Sequence, residues 1–195
     1  MRLYILIASL WLAITHTVFA NTLSVDDFGQ LPDVSQVILS ADGKKLASIV
    51  RVDLPNQKGQ AVQLIDLATQ KSELLLFTDN SSMFLNFLFW KDNKTLLVNV
   101  YSPTERVVSG LNKGTNRRVK GREIYLLTIN SETKKVSEVF SKKFLSKFSY
   151  LPMDRASIVD TLWNDPDHIL IQMASINYDT PSGPPLVYKV NINTQ

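Results

Sequence analysis

One short stretch occurs three times along this chain: Ser40-Ala41-Asp42-Gly43-Lys44-Lys45-Leu46, Trp90-Lys91-Asp92-Asn93-Lys94-Thr95-Leu96 and Trp163-Asn164-Asp165-Pro166-Asp167-His168-Ile169. Each copy carries an aspartate two residues past its first position and an apolar residue four further on. Apolar, strand-like runs lie on both sides. Aspartate closes turns through hydrogen bonds to its own backbone, and Asp-Gly tolerates the positive φ of a tight hairpin. The repeat therefore demands a chain built of strand–turn–strand units.

Strands can be counted outward from these turns. The first round predicts strands at Val34–Leu39, Leu46–Val52, Ala61–Leu67 and Ser72–Phe77, with 53–60 as a loop. The second predicts Phe84–Phe89, Thr95–Tyr101, Arg122–Ile129 and Lys135–Phe140, with a long loop over Ser102–Gly121. The third predicts Ser157–Leu162, His168–Ile176 and Leu186–Ile192. Val62–Gln70 aligns without gaps on Val187–Gln195, so the third strands repeat in phase as well. After Gln70 a fourth strand follows; after Gln195 the repeat calls for one more. Self-similar four-stranded units of about 40–70 residues mark a β-propeller. The expected fold is all-β: a partial β-propeller over 34–195, of about two and three-quarter blades at 34–80, 84–141 and 157–195. A β-sandwich with similar hairpins is the competing architecture. Trp90 and Trp163 hold matching places and are expected to pack between blades.

The N-terminus reads differently. Arg2 precedes an apolar run from Leu3 to Ile14, and Val18-Phe19-Ala20 ends it with a cleavage-site pattern. Residues 1–20 are expected to be a secretory signal peptide and 21–33 a lead-in segment. An uncleaved anchor is the alternative, but the run is short for a span of about 17–25 residues. No stable membrane span is expected after cleavage. The chain has no cysteine, hence no disulfide and no lipid-bearing cysteine. A periplasmic or secreted location follows. Hydrophobic residues at 45% suffice for a core, and a net charge of +3 does not point to nucleic acid.

Catalytic chemistry is not encoded in any recognisable pattern. A serine hydrolase needs a strained nucleophile elbow, G-x-S-x-G, and a general base. That motif does not occur, and of the two histidines His16 leaves with the signal peptide, so only His168 remains. His168, Asp165 and Asp167 are read as turn residues rather than a metal site, since neighbouring strand residues point to opposite faces. No catalytic residue, metal or cofactor is assigned. The densest charge feature is Lys113, Arg117, Arg118, Lys120 and Arg122 in the predicted long loop. These five are candidates for contact with an anionic group or a partner; a solvated loop is the plainer reading.

Several of these residues carry a family resemblance. Val37-Ile38-Leu39-Ser40-Ala41-Asp42-Gly43-Lys44-Lys45-Leu46-Ala47 resembles an S-P-D-G-K-x-[IL]-A blade motif, with Ala41 in place of proline. Leu64-Ile65-Asp66-Leu67-Ala68-Thr69 resembles a V-x-D-L-x-T-G strand and turn, with Gln70 where glycine is common. Phe28–Pro32 and Trp163–Leu170 fit the same pattern. Together they resemble the N-terminal propeller of bacterial prolyl-oligopeptidase-type serine peptidases, the dipeptidyl aminopeptidase and acylaminoacyl peptidase group. The resemblance implies a non-catalytic fragment that caps an active site and limits access to short peptides. It implies a C-terminal α/β-hydrolase domain as partner; self-association through open strand edges is the other expectation. Whether the chain acts as an enzyme is left open, and a stand-alone periplasmic binding or scaffold protein is the alternative.

Overall fold

The computed structural model describes residues 32–109, 116–140, 157–173 and 186–193. All belong to one compact unit, Pro32–Gln195. The expected signal peptide, most of the lead-in segment and Lys113 lie outside the described residues.

Among the described residues eleven strands form three antiparallel sheets. Sheet 1 is β1 (Val34–Leu39), β2 (Lys45–Leu54), β3 (Gln57–Asp66) and β4 (Ser72–Thr78), paired in chain order. Sheet 2 repeats that order with β5 (Phe84–Trp90), β6 (Thr95–Ser109), β7 (Asn116–Asn130) and β8 (Val136–Glu138). Sheet 3 has β9 (Ser157–Asp160), β10 (His168–Met173) and β11 (Leu186–Asn191).

The three aspartates of the repeat close their turns. Asp42 Oδ1 accepts from Lys44 N and the Ser40 hydroxyl. Asp92 Oδ1 accepts from Lys94 N and Thr95 N, each at 2.7 Å. Asp165 Oδ1 accepts from Asp167 N at 3.2 Å. Gly43 supplies the positive φ, 70°, that the first turn needs.

The sheets pack face to face in series, and burial follows from that order. One core joins Ala47, Ile49, Val62 and Leu64 of sheet 1 to Leu88, Trp90, Leu96, Val98 and Ile129 of sheet 2. A second joins Leu97 and Leu126 of sheet 2 to Ile169, Ile171 and Met173 of sheet 3. Consecutive strand residues point to opposite faces. The middle sheet is thus covered on both sides, and β6 and β7 carry unbroken apolar runs where the covering sheets lie. Leu39 and Trp90 occupy the same register place, opposite Leu46 and Leu96. Trp90 is 8% exposed because sheet 1 covers it, whereas Leu39, on the outer face of sheet 1, is 55% exposed.

Four sequence expectations are corrected. Residues 53–60 are not a loop: β2 and β3 pair through to Leu54↔Gln57, leaving Pro55-Asn56 as a two-residue turn. The long loop at Ser102–Gly121 is mostly strand, paired from Ser102↔Glu123 to Ser109↔Asn116. The fourth strand of the second round shrinks from six predicted residues to Val136–Glu138. Trp163 does not pack between sheets; it is 44% exposed. β9 stops at Asp160 and Leu162 takes a φ of 49°, so Trp163 falls in the turn rather than at a strand end.

Lysines cross both sheet-to-sheet boundaries, and at the first Lys134 of sheet 2 also pairs with Glu73 of sheet 1. Lys45 Nζ donates to Asn93 O at 3.2 Å and to the Ser131 hydroxyl at 2.9 Å. Lys91 Nζ donates to Leu162 O at 2.9 Å and Asp165 O at 2.6 Å. At the first boundary the Gln36 amide also brackets Leu88, donating to its carbonyl at 3.0 Å and accepting from its N–H at 2.6 Å.

Candidate functional site

Four of the five basic residues singled out from sequence, Arg117, Arg118, Lys120 and Arg122, lie on a two-stranded arm. β5 pairs with β6 only as far as Tyr101, and β8 pairs with β7 only over Leu127–Ile129. Beyond those points β6 and β7 pair with each other as a ribbon. Arg118, Lys120 and Arg122 are two residues apart, so all three share one face, and all three are exposed. Arg117 pairs with Val108, one residue before Arg118 and therefore out of step with that row. The arm is anchored by aromatic rings: Arg122 lies 4.8 Å over the Tyr101 ring, and Tyr101 stacks on Phe84 at 4.9 Å with planes 7° apart. The cation–π contact holds the guanidinium at the foot of the arm. Residues 102–123 hold six basic and two acidic side chains, net +4 against +3 for the whole chain. That stretch of sequence therefore concentrates the positive charge of a chain that is otherwise slightly negative.

A second polar cluster surrounds Asp165. Its Oδ2 accepts from Lys189 Nζ at 2.8 Å and its Oδ1 from His168 Nδ1 at 2.9 Å. The Lys189 ammonium, then His168, hold the Asp165 carboxyl well below the ordinary value of 3.8. Asp167 turns away and accepts from the Asn193 side-chain amide at 2.7 Å. A histidine oriented by an aspartate makes two of the three members of a hydrolytic triad, but among the described residues His168 bonds to Asp165 and to no hydroxyl. The cluster orders the turn. Among the described residues no three acidic or histidine side chains converge as metal ligands.

An open cleft of about 510 Å³ is lined by Thr95 of β6, Thr128 and Asn130 of β7, Lys135 and Ser137 at β8, and Asn193 just after β11. Its groups can hydrogen-bond a polar molecule but include no acid–base pair.

No protein-family model and no curated protein matches this chain. Solved structures do. Acylaminoacyl peptidase from Pyrococcus horikoshii matches with a TM-score of 0.51 at 19% identity, over 82% of this chain and 24% of that one. The fold is a partial β-propeller. Meandering four-stranded sheets in series, each face against the next, are its blades. A proposed conserved lipoprotein from Clostridium novyi NT gives a TM-score of 0.48 at 17% identity, over 83% of this chain and 89% of that one. The β-propeller domain of the Trilobed protease from Pyrococcus furiosus gives 0.37 at 15% identity, over 84% and 57%. This chain thus spans about a quarter of the length of the peptidase whose fold it shares.

The residues that sequence reasoning missed are the blade-crossing lysines, Lys45, Lys91 and Lys134. Lys91 is 0% exposed, yet in sequence it is one lysine of a polar turn. Its burial arises where two sheets meet, and no local pattern records that.

The turn carboxylates predict acid sensitivity. Asp42, Asp66, Asp79 and Asp165 all have pKa values lowered from 3.8. The main causes are the Ser40 hydroxyl for Asp42, Thr69 N–H for Asp66, the Ser81 hydroxyl for Asp79 and Lys189 for Asp165. Below the unfolded value the unfolded chain binds more protons than the folded one, so stability falls with pH there. The contribution is complete above about pH 5 and is lost as pH drops through 3.8 and below. Urea titrations at pH 6 and pH 3 are expected to show a lower midpoint at pH 3. Replacing the four aspartates with asparagine should flatten that dependence.

Proposed function

We propose that this chain is the non-catalytic propeller portion of an exported prolyl-oligopeptidase-type serine peptidase. In this reading it is periplasmic or secreted, and it covers the active site of an α/β-hydrolase domain so that only short peptides enter. The observation that carries the reading is the unequal burial of equivalent blades. Sheet 2 is covered on both faces, whereas Val37 and Leu39 on sheet 1 and Val187 on sheet 3 are each 55% exposed where a further blade would lie. The fold likeness to an acylaminoacyl peptidase and the S-x-D-G-K turn motif at Ser40–Lys44 support the same reading. Chemistry would then come from the hydrolase domain, and this chain would act by sterics.

The test is activity-based labelling. The native protein is captured from its source with antibodies against this chain and treated with a fluorophosphonate probe. A labelled species longer than 195 residues is expected, with the 195-residue chain alone unlabelled and inert on prolyl and aminoacyl chromogenic substrates. Capture of the 195-residue chain alone, unlabelled and in a defined symmetric oligomer, would instead favour a stand-alone binding or scaffold protein. The exposed basic arm is the feature that gives this second reading its substance.

A further inference from the structure

The arm carries an open strand edge as well as a row of charge. In an antiparallel ladder, successive residues direct their N–H and C=O groups to alternate neighbours. Ser131 N donates to Lys94 O, so odd-numbered positions of this strand face β6. Val139 N donates to Leu126 O at 2.9 Å, so even-numbered positions face β8. The β6–β7 register runs from Thr95↔Asn130 to Ser109↔Asn116 without a shift, so the alternation carries into the arm. Arg118, Lys120 and Arg122 therefore aim their main-chain donors and acceptors at the side β8 no longer occupies. Among the described residues no strand pairs with them there.

The opposite edge of the ribbon is blunted. Pro103 stands at an outward-facing position of β6, opposite Arg122, and offers no N–H. The β7 edge has no such block; it presents three cations, with Glu105 of β6 opposite Lys120 as the one acidic neighbour in register among the described residues. A second copy of this edge would bring six positive charges together and is repelled. A strand with acidic residues is attracted, and its main chain can complete the ladder.

We propose that the β7 edge from Arg118 to Arg122 binds an extended acidic peptide segment as an added strand. The three cations span about 13 Å at strand rise. Side chains on one face of the added strand recur every second residue. The segment that fits has Asp or Glu at i, i+2 and i+4 on the cationic face. Backbone pairing supplies attachment, and the alternate acidic groups supply selection. This surface stands independently of the peptidase reading.

The probe is a fluorescent heptapeptide with glutamate at every second position, followed by anisotropy on the full chain. Binding is expected to weaken about tenfold or more in the R118Q/K120Q/R122Q variant, and to weaken with salt. Methylating the peptide's edge-facing amide nitrogens should weaken it about tenfold as well, with charge unchanged. Lys120→Pro removes an N–H that points only to the open edge, so K120P should bind more weakly than K120Q. Far-UV circular dichroism checks that each variant is folded. Equal binding by the methylated peptide, or by K120P and K120Q, would overturn strand addition. No binding by the unmodified chain at about 1 mM peptide would overturn the proposal altogether.

Discussion

Lys91→Met is expected to destabilise the protein by about 1–3 kcal/mol, the cost of leaving the Asp165 carbonyl without its donor beneath a closed interface. Lys91 is fully buried, and its ammonium donates to Leu162 O and Asp165 O of the next blade. Buried ion pairs can often be replaced by apolar residues without loss. Here the acceptors are main-chain carbonyls, which no substitution can remove; Leu162 O keeps the Asp165 N–H at 2.8 Å, but methionine offers Asp165 O nothing. Urea unfolding of the wild type and K91M gives the difference directly. A second readout separates this cause from simple packing. Burial lowers the Lys91 pKa from 10.5, opposed by the charges of Asp92, Asp165, Asp160 and Asp167. Just below that value the unfolded chain holds more protons than the folded one, so wild-type stability gains with rising pH in that window. K91M should lack this gain, and the difference between the two proteins should widen as pH rises toward 10.5.

Gly59→Ala is expected to cost about 3 kcal/mol, from overpacking and backbone strain together. A Cβ at this position would stand 2.0 Å from Thr78 O and 2.9 Å from Asp79 Cα. Both obstacles are backbone, so neither can rotate away. The damage falls where Gln60 pairs with Thr78, at the last rung between β3 and β4. Gly43→Ala is the matched control. Its φ is +70° but nothing lies within 4 Å of the added carbon, so only the left-handed backbone is penalised, at about 1–2 kcal/mol. Thermal melts of the two variants should rank G59A as the less stable.

The sheet order was legible because the three aspartate turns impose it. Asp42, Asp92 and Asp165 read as turn residues in sequence and do that work in the structure through their own backbone neighbours. What failed to show was strand without burial. Residues 102–109 and 116–123 rise above the sheets that would cover them, so they carry no apolar alternation, and Gly, Asn and Ser at the tip suggest a loop. Their pairing partner is each other, which is a long-range fact. Residues 53–60 were misread for the same reason: Asp53 and Lys58, paired across the ribbon at 3.3 Å, look like loop residues and are strand. The Trp90 and Trp163 repeat misled in the other direction. Identity of residue and place did not carry over because Leu162 leaves the strand geometry before Trp163 is reached. Of the basic candidates, Arg118, Lys120 and Arg122 were found by charge density alone; that they share a face became visible only once the segment was known to be strand.

The central claim, that these blades belong to a larger exported peptidase, is tested most directly by the nucleotide sequence of the native gene beyond the codon for Gln195. The account predicts further strand–turn–strand repeats followed by a G-x-S-x-G motif. A native stop codon there, with unrelated sequence downstream in every frame, would contradict it.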